Sequence, residues 1–100
     1  MTVEWSPLAL TRVRDIAAFI AVHDPDAALR WVEGLSHVVE RLAQFPMSGR
    51  LVTGLEGRGV REVLYGAYLI FYRAGERVTV ITVRHGKQLM CEQEVLASEE

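Results

Sequence analysis

The chain has 100 residues, 50% of them hydrophobic and 24% charged, with a formal net charge of −2 and a mean hydropathy of +0.14. That balance excludes disorder, and the length allows one modest core burying roughly 60–70% of the unfolded surface, with no second domain and no cofactor-enclosing fold. The longest apolar run of the first half, Ile16 to Val22, is far short of the ~20 residues a membrane span needs. Met1-Thr2-Val3-Glu4 shows no basic and apolar leader, so the cytoplasm is the expected compartment.

In chain order, Thr2 to Trp5 alternates as a short strand would, and Ser6-Pro7 supplies an N-cap followed by proline at the first helical position. Ala9, Val13, Ile16 and Ile20, widened by Ala17, recur at the spacing of one helical stripe. Asp24-Pro25 repeats the capping signature, so the chain breaks and restarts as a second helix with an apolar stripe of Ala28, Trp31, Val32, Leu35, Val38, Val39 and Leu42. So short a link predicts an antiparallel helical hairpin over about residues 7–45. Pro46 and Gly49 end it.

From Val60 the period changes. Val60 to Tyr65, Tyr68 to Arg73 and Arg77 to His85 are rich in Val, Ile, Tyr, Phe and Thr, which predicts a three-stranded antiparallel meander over about 60–85. The Gly66-Ala67 link, with glycine first, fits a type II′ turn. Tyr68 to Tyr72 is apolar on both alternating faces, the mark of a central strand covered on each side. The expected architecture is therefore an α+β single domain spanning 1–100: short N-terminal strand, helical hairpin, meander, and an acidic tail at 91–100.

Charge is partitioned along this chain. Residues 1–45 sum to −2, residues 46–90 to +4 and residues 91–100 to −4. Arg61, Arg73, Arg84 and Lys87 could form a cationic face for an anionic partner, or stand as separate solvated charges; sequence order alone does not decide. Arg84-His85-Gly86-Lys87 follows the last strand and could contact phosphate or acidic side chains, with strand-end charges in water as the plain alternative.

Other chemistry is weakly supported. Cys91 with His23, His37 and His85 matches no zinc spacing, so neither metal nor cofactor is expected. None of the four serines sits in a G-x-S-x-G context. The glycines between Gly54 and Gly59 lack the strand and helix that a phosphate cradle requires. His23, His37, Trp5 and Trp31 read as packing or surface residues.

Taken as an ordered set, Phe45-Pro46-Met47-Ser48-Gly49-Arg50, Arg61-Glu62-Val63, Tyr65 to Arg73 and Val78 to Gly86 closely resemble the RelE/ParE toxins of bacterial type II toxin–antitoxin modules. The resemblance covers nearly the whole chain and implies one of two activities. The RelE-like branch cleaves messenger RNA in the ribosome, which here would rest on Arg61, Arg84, His85 and Lys87. The ParE-like branch poisons DNA gyrase by protein binding, without breaking a bond itself, through target contacts expected at Arg61, Arg73, Arg84, His85 and Lys87.

Leu69 and Gln88 stand where the nuclease branch carries cations, and Cys91 to Glu94 occupy the stretch of its near-C-terminal tyrosine. The wording of Gly66 to Arg73 and Val83 to Gly86 is more like the gyrase-directed branch. The resemblance also implies a cognate antitoxin, adding a strand to the free edge of the meander or laying a helix on the hairpin, and operator DNA bound only through that antitoxin. An inactive homologue serving only in autoregulation is a third reading, distinguished by expression without antitoxin.

Overall fold

The computed structural model describes residues 1–86; Lys87, Gln88 and the acidic tail at 91–100 lie outside them. Its elements in chain order are β1 (Val3–Trp5), α1 (Pro7–His23), α2 (Pro25–Gln44), β2 (Arg50–Leu51), a 3-10 turn (Glu56–Arg58), β3 (Val60–Tyr65), β4 (Tyr68–Ala74) and β5 (Val78–His85).

Both helix starts follow their capping chemistry. The Ser6 hydroxyl accepts from Ala9 N–H at 3.0 Å, and the Asp24 carboxylate accepts from Ala27 N–H at 3.1 Å. Each cap satisfies one of the amides left without an intrahelical partner in the first turn. Asp24 serves both helices: in extended conformation it caps α2 with its side chain and closes α1 with its own N–H, bonded to Ile20 O. A single residue thus joins the two helices.

The meander is present and forms the centre of a wider, mixed sheet in the order β1-β5-β4-β3-β2. The meander over 60–85 is as expected, and one short strand joins it on each side. β1 lies parallel to β5, with Val3 opposite Val78 and Trp5 opposite Val80. β2 pairs antiparallel with β3 through only two residues. Parallel pairing requires a crossover connection, which the hairpin and the meander together supply.

β4 is the middle strand. The β3–β4 turn has Gly66 at φ 58° and no positive φ at Ala67, the pattern of a type II′ turn. Between β4 and β5 the register shifts: Phe71 faces Thr82 and Tyr72 faces Val80, so Ile81 is the extra residue of a bulge.

One sheet face carries Ile70, Val80 and Val83, packed with Ala9, Leu35 and Val39 of the helices. Toward the other end of the sheet, Leu42 packs with Tyr72 and Val78. On the opposite face Val60 and Ile81 are covered by Leu55 and Val52, from the loop between β2 and β3. β4 is buried on both alternations, Ile70 and Tyr72 at 0% exposure and Phe71 at 2%, which is why its apolar residues do not alternate with polar ones.

Candidate protein-binding site

At the end of β5, His85 stands opposite Tyr68 across the strand pair, with its ring edge-on to the tyrosine at 5.5 Å. Tyr68 is backed in turn by Trp31 of α2 at 5.4 Å, and Trp31 lies 5.9 Å from Tyr65. The Tyr65 hydroxyl donates to Trp31 O at 2.7 Å, while desolvation pushes its phenol pKa up. The result is an aromatic array from β3 through α2 to the last residue of β5. Edge-to-face contacts of this kind fix ring positions as well as burying area.

This array borders a groove of about 250 Å³ between α1 and the sheet end, lined by Arg12, Asp15, Ile16 and Phe19 on one side and by Tyr68, Val83, Arg84 and His85 on the other. Positions 12, 15, 16 and 19 share one helical face. Sequence reasoning missed Arg12, Phe19 and Tyr68 as groove residues. The available signal was Phe19, a large aromatic that is exposed here despite lying inside an apolar run.

The candidate site residues are not gathered into one basic face. Arg84 registers with Leu69 and His85 with Tyr68; as neighbours on β5 their side chains start from alternate sheet faces, and both residues border the α1 groove. Arg73 lies five residues along β4 from Tyr68, roughly 17 Å away at strand rise, where its Nε donates to Arg58 O at 3.0 Å. Arg61 faces Tyr72 across the β3–β4 pair and donates to Gly49 O at 2.7 Å and to Met47 O at 3.4 Å. These two arginines hold loop carbonyls. Lys87 lies outside the described residues.

Arg61 is one half of a latch. The buried Tyr72 hydroxyl donates to Pro46 O at 2.8 Å and accepts from Gly49 N–H at 2.8 Å. A Cβ on Gly49 would sit 2.6 Å from the Tyr72 hydroxyl and 2.8 Å from Glu62 O, closer than packed atoms approach, so only glycine fits. Arg50, next in sequence, is bonded to Glu62 at 2.7 Å. The Pro46-to-Arg50 and Arg61-Glu62 motifs are thus two sides of one structural joint.

The model of the ParE toxin of the type II toxin–antitoxin system parDE matches residues 3–90. The chain belongs to the ParE toxin family. A member of the same sequence neighbourhood is the Y4kP protein of Sinorhizobium fredii, 38% identical over 90 residues, which span 86% of this chain and 88% of the relative. Among solved structures, the chromosomal ParDE toxin–antitoxin system from P. aeruginosa aligns with a TM-score of 0.72 over 85% of this chain and 95% of its own, at 20% identity. That likeness shows that the α+β architecture is a ParE-type fold.

The ParE-family chain is a type II toxin. Among its described residues no helix is long and apolar enough to cross a membrane. None of its described His, Cys, Asp and Glu residues form a group of three able to hold a metal ion.

Proposed function

We propose that this toxin arrests growth in the cytoplasm by binding DNA gyrase as a protein ligand, and that a cognate antitoxin neutralises it. The observation that carries the choice of target is the dispersal of the cations. Phosphate-ester cleavage needs charged donors converging within about 3 Å of the reacting oxygens. Here Arg61 and Arg73 are bonded to loop carbonyls at the far end of the sheet from His85, and Leu69 stands opposite Arg84, where the nuclease pattern would place another cation. Binding a protein surface requires no such convergence and no cofactor.

The purified toxin is expected to block supercoiling by gyrase and to leave messenger RNA intact on translating ribosomes. Ribosome-dependent transcript cleavage at enzyme-like rates would overturn this reading. Expression without antitoxin should arrest growth; an inert homologue would leave it unaffected.

In this reading Arg84, His85 and Lys87 contact the target, while Arg61 and Arg73 act through the loops they hold. Arg84→Glu and Lys87→Glu are expected to abolish growth arrest after antitoxin withdrawal. His85→Gln should retain part of the toxicity, because glutamine keeps hydrogen-bonding capacity and lacks a titratable ring. Native melting of each variant is the control. Full toxicity in both charge-reversed variants would transfer the target surface to the outer face of the hairpin, between Arg12 and Arg30.

A further inference from the structure

α1 is more apolar than its packing requires. Ile16 to Val22 makes nearly two helical turns without a polar residue, and a helix apolar on every side is ordinarily enclosed. Here Phe19 is 68% exposed and Val22 78%, and Ala9 is the one residue of α1 that is fully buried. α2, by contrast, buries Ala28, Leu35, Val39 and Leu42. Phe19 and Val22 are three apart and so adjoin on the helix surface, and the His23 ring stands edge-on to Phe19 at 6.3 Å. Adjoining apolar side chains left in water beside a groove mark a contact surface.

That strip continues into the groove that α1 forms with the end of β5. Ile16 and Val83 give the groove an aliphatic lining, and Tyr68 an aromatic wall held by edge contacts with Trp31 and His85. Its volume of about 250 Å³ is below the roughly 300–1,000 Å³ of small-molecule sites, and suits one or two side chains of a protein partner. Arg12 and Arg84 line it against one acid among the described residues, Asp15, so its charge favours an acidic partner. Both walls stand on regular secondary structure, which spares the ordering cost that a mobile loop would add to binding.

We infer that α1 is the second half of the target-binding surface. An acidic, amphipathic segment of gyrase seats a bulky apolar side chain between Ile16, Phe19 and Tyr68, directs a neighbouring carboxylate to Arg12 and Arg84, and covers Val22. This inference rests on the target of the proposed function and extends that surface from the strand end onto the helix. An apolar side chain flanked by acid is the chemistry the groove selects. A nucleic acid, negative throughout and without aliphatic side chains, would leave Ile16, Phe19 and Val22 uncovered.

The test uses the full-length toxin, purified gyrase and the antitoxin encoded in the neighbouring reading frame. Phe19→Ala and Val22→Gln change exposed side chains and should melt like wild type. Titration calorimetry is expected to show gyrase binding weakened about 30-fold or more by Phe19→Ala, the loss typical of an interface anchor, and less by Val22→Gln, with antitoxin affinity unchanged in both. Asp15→Asn should act in the opposite direction and tighten gyrase binding about two- to five-fold at low salt, because it removes an acid that faces an acidic segment. A role in folding alone would produce no such gain. In cells, Phe19→Ala should weaken growth arrest after antitoxin withdrawal.

Gyrase affinity unchanged by Phe19→Ala, or lowered by Asp15→Asn, would overturn the inference. So would loss of antitoxin affinity with gyrase binding intact, which would assign the groove to the antitoxin. Dissociation of a wild-type dimer by these changes, with gyrase binding intact, would assign it to a second copy of the chain. If the wild type does not bind gyrase, the gyrase reading fails by itself. The groove then stands as the target surface where Phe19→Ala abolishes growth arrest with antitoxin affinity unaltered, and falls where arrest persists.

Discussion

Replacing Tyr72 by alanine is expected to cost about 3–5 kcal/mol, the usual range for deleting a large buried aromatic. The ring is fully buried between Leu42 and Val78, and its hydroxyl is the shared partner of Gly49 N–H and Pro46 O. Against a total stability of roughly 5–15 kcal/mol, that loss removes a large part of the margin.

Two milder changes separate packing from hydrogen bonding. Tyr72→Phe keeps the ring and leaves the Gly49 amide and the Pro46 carbonyl without their partner, a cost of about 1–3 kcal/mol. Gly49→Ala keeps the hydroxyl and drives a methyl group against it and against Glu62 O, also about 1–3 kcal/mol by overpacking. The two changes share a partner, so their effects should not add. Urea denaturation of the three variants checks this. A Tyr72→Phe protein within about 0.5 kcal/mol of wild type, the size of an ordinary surface change, would show that the latch hydrogen bonds are dispensable.

Ser6→Ala should cost about 2–3 kcal/mol, whereas Asp24→Ala should cost about 1 kcal/mol. Both residues are N-caps followed by proline. The Ser6 hydroxyl is buried and does two jobs, accepting from Ala9 N–H and donating to Ile81 O at 2.6 Å across 75 residues of sequence. Its loss removes both the cap on Ala9 N–H and the hydroxyl's bond to the Ile81 carbonyl. Asp24 caps at an exposed site, and its contact with Arg30 at 3.8 Å, with both side chains more than half exposed, adds little. Thermal melting of the two variants decides the matter: equal losses would mean that Ser6 does not couple α1 to β5.

These paired caps show how legible the chain is. The Ser6-Pro7 and Asp24-Pro25 signatures, the apolar stripes of α2, the Gly66-Ala67 turn and the double-sided apolar run of β4 are all contained within a few residues, and each was readable as a local energetic preference. The family motifs were readable too, but their roles were not. Arg61 and Arg73 read as target-facing cations because a guanidinium in a basic segment has no local feature that reports its acceptor. Their carbonyl partners, Gly49 and Arg58, are 12 and 15 residues away in sequence. The alternate starting faces of Arg84 and His85 were implicit in strand alternation once the strand was placed.

The amino-acid sequence by itself determined the helical hairpin, the meander, the central position of β4 and the membership of the chain in a toxin family, because capping, turn chemistry and hydrophobic period act between neighbours along the chain. Only the tertiary structure decided that β1 lies parallel to β5, that Ile81 is a bulge, and that Tyr72 and Arg61 clasp the loop at Gly49. Each of these depends on register between segments distant in sequence, where many pairings satisfy the same local pattern and the packing of the whole core selects one.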